Sequence, residues 1–163
     1  MASRSILIVA WAGLLAAPVA AQPPDDLGPE DATIIYGVLP TVCTVETESS
    51  TVTVQLTSGQ QDVTNVLYTC NSINGFARRI FSANSGALMR NGQAIPYLIS
   101  QTGSGDLAFA PVNLSTELSD DVAPFAELTI GSSGRLRLEI PSIPPGLLAG
   151  QYVDTVTIEI TPN

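Results

Sequence analysis

Carboxylates are the only abundant titratable side chains in this chain. An acid–base pair of the kind that cleaves glycosidic bonds is therefore the one catalytic chemistry its composition could support. Of 163 residues, 15 are Asp or Glu, six are Arg, and none is His or Lys. That excludes Ser-His-Asp and Cys-His nucleophiles, Schiff-base and phosphate-loop lysines, and imidazole metal sites. The local acidic clusters are Glu46 with Glu48 and Asp120 with Asp121. Glu46 and Glu48 would share one strand face and read as a solvated pair. Asp120-Asp121 sits in a polar stretch that reads as a loop, kept acidic for solubility or, alternatively, for calcium. Arg78 and Arg79 point to opposite faces of a strand and form no anion clamp. Asn113-Leu114-Ser115 fits a glycosylation sequon, a short motif. No catalytic residue, metal ligand or cofactor is expected.

A net charge of −9 argues against nucleic acid as a partner, because clustered cations supply that affinity. The chain is 45% hydrophobic, as a folded domain requires, and its length fits one domain. Residues 1–21 read as a cleaved secretory signal. Arg4 precedes an uncharged run from Ile6 to Ala21 that closes on Val19-Ala20-Ala21. The run, about 16 residues, is short of the roughly 20 that span a bilayer. Cleavage leaves five arginines against 15 acids and no further membrane segment. Residues 22–32, rich in Pro and Asp, read as a flexible leader. In an oxidising compartment, Cys43 and Cys70 are expected to form one disulfide; two free buried thiols are the alternative.

The elements that must position these groups are strands. Thr51–Leu56, Asp62–Tyr68, Arg79–Ser82, Ile95–Ile99, Leu107–Phe109, Arg135–Ile140 and Tyr152–Ile160 are short candidates, most of them alternating polar and apolar residues. Turn pairs such as Ser58-Gly59, Asn74-Gly75 and Asn91-Gly92 separate them. Val122–Leu128 allows one short helical turn, limited by Pro124. The spacing predicts an all-β fold, an immunoglobulin-like β-sandwich over residues 33–163. In the last strand Tyr152, Val156, Ile158 and Ile160 share one face, interrupted by Asp154. The expectation is that this face belongs to the core.

Several segments together resemble one family. They are Tyr68-Thr69-Cys70-Asn71-Ser72-Ile73-Asn74-Gly75-Phe76, then Ser82-Ala83-Asn84-Ser85-Gly86-Ala87-Leu88, then Ile95-Pro96-Tyr97, and finally Ala149-Gly150-Gln151-Tyr152-Val153-Asp154-Thr155-Val156-Thr157-Ile158. The chain is similar in these to the spore coat protein U family of secreted bacterial proteins, which includes the pilins of archaic chaperone–usher systems. The similarity runs from about Tyr36 to Ile160 and is thin between Gly105 and Gly134. Classical pilins often carry an aromatic residue second from the end, where this chain has Pro162.

The resemblance implies an incomplete sandwich that lacks its last strand and receives it from a neighbouring subunit. The donor strand would be residues 33–39. Ile35, Gly37 and Leu39 lie on one face of it, and Ile34, Tyr36 and Val38 on the other. Implied partners are identical or related pilin subunits, a periplasmic chaperone and an outer-membrane usher. The implied location is the periplasm in transit, then the cell surface. The alternatives are that residues 33–39 are simply the first strand of a complete sandwich, in a free-standing secreted binding or coat module, or that the protein is a carboxylate hydrolase.

Overall fold

The computed structural model describes residues 35–163. The expected signal and leader, and donor positions Thr33 and Ile34, lie outside the described residues. The chain divides into two units, residues 1–38 and 39–163. In the first, Ile35–Val38 carry no strand or helix and are exposed.

The second unit is an all-β sandwich of ten strands: β1 (Cys43–Thr47), β2 (Gly59–Cys70), β3 (Phe76–Ser82), β4 (Ala87–Arg90), β5 (Gln93–Pro96), β6 (Leu98–Thr102), β7 (Phe109–Val112), β8 (Leu118–Val122), β9 (Ser132–Ile140) and β10 (Val156–Pro162). One antiparallel sheet has the order β1-β2-β9-β6-β7, a second the order β10-β3-β8, and β4-β5 forms a separate hairpin. Strand β9 shows why alternation produces this arrangement. Leu136, Leu138 and Ile140 enter the core, while Arg135 and Arg137 point outward and share the Asp62 carboxylate at 3.0 Å each. The outward pair is solvated and adds little; the inward trio, with Val66, Tyr68, Phe76 and Ile80, joins the two sheets.

Cys43 lies opposite Cys70 in the β1–β2 register, and the two are bonded, leaving no free cysteine among the described residues. A crosslink spanning 27 residues contributes about 3–4 kcal/mol in the chain-entropy account. The turn from β2 to β3 depends on Gly75, whose φ is +74°. A Cβ there would sit 2.0 Å from the Val122 carbonyl oxygen.

Several expectations need correction. Thr51–Leu56 is not a strand. Its alternation belongs to an irregular strap held by the Gln55–Gln61 pair, in which Gln61 Oε1 accepts from the Gln55 amide at 2.8 Å. Asp120-Asp121 is not a loop but the centre of β8, paired with β3. Ile95–Ile99 is two strands in different sheets, because Pro96 has no N–H and ends β5. Leu107 lies in a 3-10 turn, Gly105–Leu107, so β7 starts only at Phe109. The helical turn expected after Val122 is a 3-10 turn at Ala126–Thr129, beyond Pro124. Tyr152 is buried but precedes β10, which begins at Val156; only one bridge, Met89 to Val153, joins that stretch to a strand. No helix of the described residues is long and apolar enough to cross a membrane.

The flank beside β7 and β8 is closed by a buried cation. Arg78 on β3 is fully buried while Arg79 beside it is exposed, as opposite faces require. The Arg78 guanidinium donates to both carboxylate oxygens of Asp120 and, at 2.9 and 3.2 Å, to the carbonyls of Leu107 and Asp106. It also lies over the Phe109 ring, 5.1 Å from the centroid. Gln101 extends the network by accepting from the Tyr68 hydroxyl and donating to the Leu107 carbonyl. Burial, the largest single influence, would favour loss of the Arg78 proton; the Asp120 hydrogen bond, Tyr68 and the Asp120 charge together outweigh it and hold the guanidinium charged.

Candidate functional site

At the opposite flank β1 and β10 come near each other without a backbone hydrogen bond between them. β1 is bonded only to β2, and β10 only to β3, so each presents a free edge. Between them runs a groove of about 470 Å³. β1 contributes Val45, β2 contributes Val63, β9 contributes Leu136 and Leu138, and β10 contributes Val156 and Ile158. The strap, through Val52 and Val54, lines it as well. The lining is mostly aliphatic, yet Val45, Val54, Val63, Val156, Ile158 and Ile160 are only partly buried. These side chains pack against the core and keep part of their surface exposed.

One carboxylate reaches the groove, and it is already occupied. Asp154 accepts from the Tyr97 hydroxyl at 2.6 Å, from the Ser82 hydroxyl, and from the Asn84 and Thr155 amides at 3.0 and 2.7 Å. These bonds tie the approach to β10 onto the turn after β3. Burial, then the hydrogen bond to Asp154, pushes the ionisation of the Tyr97 phenol well above its ordinary range. Asp154 therefore acts as an acceptor that fixes backbone.

The other carboxylates singled out by the sequence do not converge. Glu46 and Glu48 are exposed, and Glu48 accepts from Asn65 Nδ2 at 2.7 Å. Asp120 pairs with Arg78, and Asp121 accepts from the Asn163 side chain. Among the described residues no group of three or more His, Cys, Asp or Glu could hold a metal ion. In the Asn113 sequon, the side-chain amide donates to the Tyr97 carbonyl at 3.2 Å and its oxygen accepts from the Ser115 amide, so the side chain shapes a turn.

The structure places the proposed donor and groove residues as follows. Ile35 and Leu39 are 90% and 82% exposed, and a Cβ at Gly37 would meet nothing within 4 Å. Val156, Ile158 and Ile160 pack against the core from β10. Tyr152 serves instead at the corner before that strand, its hydroxyl bonded to Gln93 Oε1 and to the Leu148 carbonyl. The sequence reading missed Val45, Val54, Val63, Leu136 and Leu138 as groove residues. The alternation in β9, in Thr51–Leu56 and in Asp62–Tyr68 marks Leu136, Leu138, Val54 and Val63 as side chains seeking cover, but nothing local brings them, or Val45, to one groove.

Chemically, the groove can receive an extended chain. Two free strand edges offer main-chain donors and acceptors, and an apolar trough between them takes alternate side chains. Substitutions on β10 test which side matters. Ile158→Asp should place an unpaired charge in the apolar layer and cost several kcal/mol, whereas Thr157→Asp, one residue away, should cost much less. Urea unfolding of the two variants compares them; equal losses would mean that β10 does not bury the Ile158 face.

No family model matches the chain, and no curated protein matches it.

Proposed function

We propose that this protein is a structural subunit of a secreted surface fibre, an incomplete immunoglobulin-like sandwich completed by a strand from the next subunit. One observation carries the reading: an open, aliphatic groove between two unpaired edge strands, in a chain whose own apolar segment Ile35–Leu39 is exposed. An unpaired edge beside exposed aliphatic side chains is an aggregation hazard, and an extended partner strand relieves it. The Tyr152 hydroxyl, bonded four residues upstream at Leu148 just before the last strand, also supports the immunoglobulin-like description, where a tyrosine makes this corner. The resemblance to archaic chaperone–usher pilins adds the assembly route. A periplasmic chaperone would cover the groove until an outer-membrane usher exchanges it for the donor, and the fibre would stand on the cell surface.

The donor is residues 33–39, seven residues against the seven of β10. Entered antiparallel to Val156–Pro162, it sets Ile35 and Leu39 about two residue pairs apart on the groove side, near 13 Å, with Gly37 between them. There the glycine lets backbone approach backbone closely.

Deleting residues 22–39 should abolish polymer formation by the exported protein, while the remaining body still takes up a fluorescent peptide copied from residues 33–39. Fluorescence anisotropy and electron microscopy read the two effects. If instead the intact protein is a cooperative, protease-resistant monomer and the deletion simply unfolds it, the segment is an ordinary first strand. The chain is then a free-standing secreted module.

A further inference from the structure

The strand-exchange reading has a geometric consequence at the pole of the sandwich where the chain enters β1. Three hydrogen bonds from one residue fix that entry. Asn71 Nδ2 donates to the Pro40 carbonyl at 2.9 Å, Asn71 Oδ1 accepts from the Val42 amide at 2.7 Å, and the Asn71 amide donates to the Val42 carbonyl at 3.2 Å. The Cys43–Cys70 bond anchors the next residue on each strand. The connector between the donor segment and the body is thus bound to the body from Pro40 onward. Leu39, the last donor residue, is one peptide step, about 3.8 Å, from that fixed point.

A connector without slack cannot hold two bodies apart. If Leu39 lies in the groove of a second copy, that copy must press against the face around Asn71. The face is built for contact. Ile73, at the tip of the adjoining turn, is 88% exposed, and Ile130 is 85% exposed. Beside them lies a cleft of about 340 Å³, lined by Asn71, Ile73, Pro124 and Phe125. Large aliphatic side chains so fully exposed beside an apolar cleft mark an interaction surface.

We infer that this pole is a second subunit–subunit contact, in which the Ile73 turn of one copy packs on the end of the next copy's groove. Asn71 is the positioning residue that sets the angle between them. The inference rests on the strand-exchange reading. The contact joins two different surfaces of identical chains, the kind that extends a fibre wherever its rotation does not close a ring. The donor strand supplies the hold; the pole contact supplies the stiffness.

The test uses the full chain carrying Ile73→Asp or Asn71→Ala, with the labelled 33–39 peptide as a probe of the groove. Both variants should bind the peptide as the unaltered protein does and still form polymers. Their polymers should lose the single preferred angle between successive subunits in electron micrographs. In Asn71→Ala, protease cleavage within residues 39–42 should be roughly tenfold faster or more, the scale expected when the two side-chain hydrogen bonds are removed from a local opening. Normal peptide binding with an unchanged angle in both variants overturns the pole contact alone. Failure of the unaltered protein to bind the peptide overturns the strand-exchange reading and this inference with it.

Discussion

Asp120→Ala is expected to lower the stability of the sandwich by about 3 kcal/mol or more, because it strands a fully buried guanidinium without its counter-charge. The direction follows from an asymmetry. Arg78 is completely enclosed, and what remains after the carboxylate is removed is two carbonyl acceptors and the faces of Phe109 and Tyr68. Those neutral partners cannot replace the charge that offsets desolvation. Removing both partners behaves differently. Arg78→Met together with Asp120→Leu takes away the buried charge and fills its volume, and should recover most of the loss. Urea unfolding of the two single variants and the double variant closes a double-mutant cycle. A loss below about 1 kcal/mol for Asp120→Ala would show that the carbonyls and ring faces suffice, and that the ion pair does not close this flank.

That ion pair also shows where the sequence was legible and where it was not. Strand β9 was readable because every second residue from Leu136 is a large aliphatic and every intervening one is polar. The paired cysteines were readable because an exported chain with two of them has one economical pairing. β8 was hidden. Two consecutive acids look like a solvated loop, and only the three-dimensional arrival of Arg78 neutralises the one that points inward. The strap failed in the opposite direction: Thr51–Leu56 alternates perfectly, but no neighbouring strand is there to accept its backbone bonds. Periodicity reports which side chains seek cover; whether a ladder forms depends on what lies alongside. The groove itself is of the same kind, since it lies along the unpaired edges of β1 and β10. The resemblance supplied the expectation of a missing strand, while the residues lining the groove came from the strap and from strands as far apart in the chain as β1 and β10.

Residues 33–39 fused after Asn163 through a short flexible linker should give a stable, soluble monomer. The geometry favours such a fusion. Asn163 lies beside the β2–β3 turn, its amide donating to the Gly75 carbonyl at 3.1 Å and its carbonyl accepting from Ser72 at 3.0 Å. A strand starting there can fold straight back along β10, antiparallel to it, and enter the groove from the end at which β10 finishes. Tethering sets its effective concentration in the millimolar range. Should the free peptide bind with micromolar affinity, the concentration would exceed the dissociation constant about 1,000-fold and raise stability by about 4 kcal/mol. For a domain of this size, that corresponds to an increase in Tm of roughly 10–20 °C. The gain has identifiable sources: burial of Ile35 and Leu39, each about 1.5–3 kcal/mol, and main-chain bonds along β10. Control fusions separate them. Replacing Ile35 and Leu39 by Ser in the fused copy should remove most of the gain, and Gly37→Val should reduce it where backbone must approach backbone closely. Calorimetry and size-exclusion chromatography give both readouts on the same samples. A fused strand that leaves Tm and oligomeric state unchanged would mean that the groove does not accept this segment, and the strand-exchange function would fall with it.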